Sequence, residues 1–150
     1  VHIMTPYLIL DNGMLDTLTR AAKSGIEVCI IMPHIPDKWY AFAVAKTYYK
    51  ELIEGGVQIY EYTPGFVHAK IFVSDDDTAT VGSINLDFRS LYLHFENGCL
   101  MYGCKAIREI REDFDRMFLQ SAEVTGYYRY RRKLPLRIIQ CILRLFAPLL

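Results

Sequence analysis

The sequence predicts an α/β fold in which a mixed β-sheet is sandwiched by helices. Two observations set the class. Short apolar runs of strand character alternate with longer stretches of helical periodicity, and two adjacent strands are joined by a tight acidic turn, which makes at least one pairing antiparallel. A third sets the scale: 150 residues, 52 % hydrophobic and 23 % charged, suffice for one domain with a real core rather than a disordered or coiled-coil chain.

The elements follow in chain order. Strand-like runs at about 1–5 and 26–32 bracket "DNGMLDTLTRAAKSG", a helix capped near Asp11 or Asn12 and stopped by Gly25. After the loop "PHIPDK", the segment "WYAFAVAKTYYKELIEGG" is apolar at 41, 44, 45, 48 and 52 and ends on two glycines, hence a second helix. "VQIYEY" reads as a strand. "HAKIFVS", the turn "DDDT" and "ATVG" read as a hairpin of two buried strands, and 93–102 as a further strand. The stretch "CKAIREIREDFDRMFLQ" puts Ile107, Ile110, Phe114, Met117 and Phe118 on one face, so it is an amphipathic helix packed on the sheet. The organisation expected is a globular unit over 1–122 and a basic amphipathic segment over 123–150.

Net charge is zero, so no global field advertises nucleic acid or an anionic surface. The distribution is uneven: no acid follows Glu123, whereas Arg129, Arg131, Arg132, Lys133, Arg137 and Arg144 do. Cysteines at 29, 99, 104 and 141 form no C-x-x-C pair and have no matching histidine spacing, so neither a zinc site nor a disulfide framework is expected, and the thiols should be reduced. No apolar run reaches the ~18 residues that a spanning helix needs. The chain opens on Val1 and runs straight into a strand, as a piece of a longer protein would.

The chemistry concentrates at "HAKIFVSD" (68–75) and "GSINLDFRS" (82–90). Residues two apart on a strand share a face, so His68 and Lys70 project together, and the next strand ends with the small donors Gly82, Ser83 and Asn85. Alone, the pair could be a strand-end histidine beside a surface lysine. With the second cluster it fits phosphodiester chemistry, which needs a nucleophile, charge on the nonbridging oxygens and an acid for the leaving group. Imidazole supplies the nucleophile, lysine the charge, and Ser83 and Asn85 hydrogen bonds, with no metal or other cofactor required. A second histidine for the acid is not evident: His2 begins a strand, His34 sits in a loop, and His94 has no lysine two residues on.

These residues resemble the phospholipase D superfamily. "HAKIFVSD" matches its H-x-K-x-x-x-x-D signature at His68, Lys70 and Asp75, and "GSINLDFRS" its Gly-Ser-x-Asn element. The text around them, including "TPYLILDNGMLDTLTRAAKSGIEVCIIMP", "YYKELIEGGVQIYEYTPGFVHAK" and the ending "LFAPLL", is similar to the C-terminal half of bacterial cardiolipin synthases over essentially the whole chain. The resemblance implies a two-motif enzyme of which this chain holds the second motif. His68 would be its nucleophile or its general acid, Lys70, Ser83 and Asn85 would bind phosphate, and Glu96 would hold the imidazole through its other nitrogen. Asp75, the third residue of the signature, lies beyond the strand and would have a structural role at the turn. The reaction implied turns two phosphatidylglycerols into cardiolipin and glycerol through a phosphohistidine, in a bacterial cell membrane, with water kept out.

Partners follow from the same resemblance: phosphatidylglycerol and anionic membrane lipid, and either the missing N-terminal half with the other motif or a second copy of the chain. No nucleic acid is expected, although a homodimeric phosphodiesterase or nuclease is an alternative, as is an inactive isolated half. The aromatic stretches "IYEYTPGF" and "AKTYYK" either line an acyl or headgroup channel or pack the core. The tail "LPLRIIQCILRLFAPLL" puts Arg137, Gln140 and Arg144 on one stripe, which suits a helix lying on an anionic bilayer or packing against the other half.

Overall fold

The structure is a computed structural model and describes residues 1–130, 142–145 and 147. Its strands are β1 (His2–Met4), β2 (Cys29–Pro33), β3 (Gln58–Tyr62), β4 (Ile71–Ser74), β5 (Thr78–Gly82), β6 (Gly98–Tyr102) and β7 (Ser121–Glu123). Its helices are α1 (Asn12–Lys23), α2 (Trp39–Glu54), α3 (Lys105–Leu119) and α4 (Thr125–Tyr130), with a π-helical turn at Arg89–Leu93. The seven strands form one mixed sheet in the order β6-β5-β4-β1-β2-β3-β7. β1, β2 and β3 run parallel, and β4, β5, β6 and β7 enter antiparallel to their neighbours.

Both faces are covered, which explains why β2 reads as an unbroken apolar run. Ile30, Met32 and Ile59 point to one side, where Leu15 and Leu18 of α1 and Val44, Tyr48, Tyr49 and Leu52 of α2 pack on them. Ile31, Val73 and Ala79 point to the other, against Ile107 and Phe114 of α3. Each of these fully buried side chains stabilises the fold by about 1.5–3 kcal/mol. Tyr48 and Tyr49 are core residues, and Tyr60 packs its ring 4.8 Å from that of Phe118, so of the aromatic stretches considered as a channel these three tyrosines pack the interior instead.

Register brings the ends of the strands to one rim. Met4 lies opposite both Ile31 and Ile71, and Gly82 opposite Gly98, so the ends of β1, β2, β3 and β5 and the starts of β4 and β6 coincide. The loops at this rim are tied to one another. The Thr5 hydroxyl donates to the Tyr7 carbonyl at 2.8 Å and accepts from the Leu86 amide at 3.4 Å, while the Ile9 amide donates to Leu86 at 2.7 Å. At the opposite end, β4 and β5 join through a turn in which Asp75 and Asp76 both have positive φ, 52° and 58°, as mirror-image hairpin turns require.

Three elements differ from expectation. The strand expected over 93–102 begins only at Gly98, because the Asp87 carboxylate accepts the Ser90 amide at 2.7 Å and starts the π-helical turn Arg89–Leu93, which takes up residue 93. β7 was not anticipated, since "SAE" has two exposed residues and no alternation, and pairing with β3 defines it. α4 belongs to the core and not to a separable tail. Tyr128 packs its ring 5.0 Å from that of Tyr49, and the Thr125 hydroxyl accepts from the Ile59 amide at 3.1 Å.

The C-terminal segment splits likewise. Arg144 pairs with Glu51 of α2 at 3.1 Å and stacks on Tyr48, and Ala147 is buried in the core, so Arg144 faces its own domain instead of a lipid surface. Arg131, Arg132, Lys133, Arg137 and Gln140 of the expected membrane face lie outside the described residues.

Gly82 sets how closely β6 can approach. A Cβ there would stand 2.3 Å from the Asn97 carbonyl oxygen and 2.7 Å from the Gly98 Cα. Gly82→Ala must force β6 away, and a loss of about 1–3 kcal/mol in urea denaturation is expected.

The N-cap prediction holds: the Asp11 carboxylate accepts the Met14 amide at 2.7 Å and also the Tyr92 hydroxyl. Those two bonds hold its pKa below the ordinary carboxylate value. A depressed folded value means that the stabilisation is present above the unfolded pKa and is lost as pH falls through the folded one. Asp11→Ala should therefore lose about 1 kcal/mol at neutral pH, and its deficit against the wild type in urea melts should shrink below about pH 4.

Candidate active site

The sequence-predicted residues converge on the rim. The β4–β5 ladder continues one step past Ile71, the Gly82 amide donating to the Lys70 carbonyl at 3.2 Å, so Lys70 sits at the strand mouth, and His68 lies in the loop before it and not on the strand as expected. His68 is exposed, its ring centre 5.5 Å from that of Phe66, and among the described residues neither ring nitrogen makes a hydrogen bond. The Lys70 ammonium turns back to donate to the His68 carbonyl at 2.6 Å, which ties the cation to the His68 backbone. Burial lowers the Lys70 pKa, and the nearby carboxylates of Glu96, Asp87 and Asp37 work against that lowering.

Ser83 follows β5 directly and locks the start of β6. Its amide donates to the Asn97 carbonyl at 2.8 Å, and its hydroxyl accepts from the Asn97 amide at 2.9 Å and donates to Glu96. Glu96 also faces His94, whose Nδ1 lies 3.5 Å from Oε1; the extended backbone at His94 puts residues 94 and 96 on one side. These bonds, the Ser83 hydroxyl foremost, hold the Glu96 pKa below its usual value. The expectation that Glu96 grips the ring of His68 is therefore corrected. The imidazole it meets is His94, because the Ser83–Asn97 backbone pair carries Glu96 over the Ser83 hydroxyl.

Asn85 donates its amide to the Ser90 hydroxyl at 3.2 Å, while its buried Oδ1 has no partner among the described residues. It lines a cavity of about 520 Å³ with Tyr7, Lys38, Asp87, Arg89 and His94. Beside it is an apolar cavity of about 400 Å³ bordered by Phe72, Ile84, Leu86 and Leu91, whose one charged wall is Lys70. Asp75, by contrast, stands at the far end of β4, where its carboxylate accepts from the Ser74 hydroxyl at 2.9 Å, which is a turn position and not a place in the rim cluster.

Sequence reasoning missed Tyr7, Lys38, Asp87, Arg89 and His94. Arg89 and Asp87 lay inside the quoted "GSINLDFRS". His94 was set aside for want of a lysine two residues on; the useful signal was the carboxylate at that spacing.

The other histidines are used elsewhere. His34 pairs with the buried Glu61 at 2.9 Å, and Lys46 stands 3.6 Å from the same carboxylate. His2, Glu27 and Cys29 bring metal-type donor atoms within 4.8 Å of one another at the opposite end of the sheet. That group suits a cation poorly: Arg111 already donates to the His2 ring, and burial pushes the Cys29 thiol up to about 12, keeping it protonated. Cys99 and Cys104 are exposed free thiols, and no helix among the described residues is long and apolar enough to cross a membrane.

The fold matches the phospholipase D family member Nuc from Salmonella typhimurium with a TM-score of 0.69 at 18 % identity, covering 81 % of this chain and 78 % of that one. It matches phosphatidylserine synthase from Haemophilus influenzae with the same score at 20 % identity, covering 99 % and 39 %. In sequence, the whole chain is 51 % identical to an uncharacterized protein of Streptococcus mutans and 41 % identical to cardiolipin synthase 2 of Bacillus cereus. A cardiolipin synthase from a Geobacillus species is 35 % identical over the whole chain, and the chain spans only about 30 % of the length of these curated relatives. The profile of the cardiolipin synthase, PLD-like domain matches residues 1–118. On that match, and on a sheet whose rim gathers His68, Lys70, Ser83 and Asn85, the chain belongs to the phospholipase D-like domain family of cardiolipin synthases.

Proposed function

We propose that the chain supplies one half of a phosphatidyltransferase site that makes cardiolipin from two phosphatidylglycerols. The observation that carries this reading is the pairing at the rim: a His68 ring with no hydrogen bond among the described residues, and a Lys70 ammonium held on the His68 carbonyl. A phosphorus atom placed there meets a nucleophile or proton donor and a fixed cation together.

In the reaction proposed, one imidazole attacks the phosphorus of the first phosphatidylglycerol, and glycerol leaves with a proton from an acid. The primary hydroxyl of a second phosphatidylglycerol then attacks the phosphatidyl-histidine, gives its proton to the base, and releases the imidazole. Lys70 and Ser83 would exchange their present acceptors, the His68 carbonyl and Glu96, for the nonbridging oxygens. A half-turn of the Asn85 amide would let Ser90 donate to the buried Oδ1 and aim the amide hydrogens at phosphate. His68 serves as either the attacking group or the acid. The other role needs an imidazole beyond this pair, and the far greater length of the relatives supports a second motif in the parent enzyme at the bacterial membrane.

The test is a chimera in which this chain replaces the matching 150 residues of the Bacillus cereus relative. Supplied with phosphatidylglycerol vesicles it should release glycerol and form cardiolipin, and His68→Ala should lower turnover by about a thousandfold or more while circular dichroism is unchanged. Turnover unchanged in the folded variant would refute the assignment. Rapid quenching in denaturant at alkaline pH, where a histidine phosphoramidate survives, should trap the adduct on one histidine; finding it on His68 makes His68 the nucleophile, and finding it elsewhere in an enzyme that still needs His68 makes it the acid. Cleavage of DNA with no action on phosphatidylglycerol would favour the nuclease alternative.

A further inference from the structure

The rim cavity holds more positive charge than the motif accounts for. Lys38, at the N-terminus of α2, has its ammonium 5.7 Å from the centre of the Tyr7 ring, and among the described residues it has no carboxylate partner. Arg89, which opens the π-helical turn, has no ion pair among them either. His94, at the end of that turn, lines the same space and is backed by Glu96 at 3.5 Å.

The acids at the cavity's margin, Asp87 and Asp37, carry their own negative charge, but among the described residues neither is ion-paired with Lys38 or Arg89. Asp87 is 6 % exposed and spends Oδ1 on the Ser90 amide. Asp37 accepts the Tyr7 hydroxyl at 2.6 Å. Two permanent cations and an imidazole thus face a concave space of about 520 Å³, a volume in the range of small-molecule sites. Lys38 and Arg89 are exposed, and both line this hollow together with Asn85.

We propose that this cavity is an anion subsite for the phosphodiester headgroup of the lipid that donates the attacking hydroxyl, with Arg89 and Lys38 as its charged contacts and His94 as a hydrogen-bonding one. The inference rests on the phosphatidyl-transfer reading and specifies its second substrate. Guanidinium presents two parallel donors to a pair of phosphate oxygens, and the ammonium adds a point charge beside them. Asn85 belongs both to this wall and to the group expected to hold the first phosphate, so a headgroup seated here would reach the reacting centre with its glycerol hydroxyl. Charge would then select an anionic phospholipid as acceptor over water or a neutral alcohol.

Binding tests it on the 150-residue chain. Dihexanoylphosphatidylglycerol below its micellar concentration, inorganic phosphate and dihexanoylphosphatidylcholine are each titrated by calorimetry, with the His94 ring followed by NMR. The anionic lipid should bind and shift the His94 resonances, and Arg89→Gln and Lys38→Gln should each weaken it about tenfold or more, with Arg89→Lys recovering part. In the chimera, Arg89→Gln should raise phosphatidic acid relative to cardiolipin as water replaces the acceptor. Unaltered affinity in both cation variants would overturn the subsite, as would phosphate binding as tightly as the lipid, or the zwitterionic lipid binding as well. The two readings fail separately: full turnover in the His68→Ala chimera sinks the transferase assignment but not the subsite, and unaltered affinity in Arg89→Gln and Lys38→Gln does the reverse.

Discussion

Two backbones meet at Gly82 with no room for a side chain, and the geometry of the rim depends on that contact. Because β6 lies so close, Asn97 can exchange hydrogen bonds with Ser83, and Glu96 is carried over the serine hydroxyl. Glu96 in turn backs His94, and His94 forms a wall of the larger cavity. A sheet edge is thereby converted into a set of aimed polar groups, as expected where glycine lets two chains approach closely.

The rest of the rim follows from strand direction. Parallel β1, β2 and β3 deliver their C-terminal ends to one edge, and the antiparallel β4 and β5 deliver the Lys70 and Gly82 ends to the same edge. Ligands of open α/β sheets gather at the C-terminal ends of parallel strands, and here the reversed hairpin adds its own residues to that location. The turn at Asp75 and Asp76 does the matching work at the other end, reversing β4 so that β5 comes back to the rim in register.

Charge at the rim is arranged economically. Lys70 is desolvated enough for its pKa to fall, yet three carboxylates oppose the fall, and its donor is satisfied by the nearest carbonyl. The acids are satisfied mainly by neutral donors: Asp87 by an amide, Asp37 by a phenol, Glu96 by a serine hydroxyl. Among the described residues these acids make no ion pair with Lys38 or Arg89.

Much of this was legible beforehand. The alternation of strand and helix, the Asp11 cap, the apolar face of α3 and the pairing of "HAKIFVSD" with "GSINLDFRS" all rest on local periodicity and spacing, which the sequence carries in full. What lay beyond it depended on distant contacts or on local turns without periodicity. That "SAE" becomes a strand by pairing with β3, and that Arg144 folds onto Glu51, are set by neighbours dozens of positions away; that Glu96 meets His94, and that a π-helical turn follows the Asp87 carboxylate, are set by turns with no periodic signature. The sequence by itself determined the class of fold and the residue types available for phosphodiester chemistry. Only the tertiary structure decided which of them share a cavity, since that is fixed by strand register and close backbone approach.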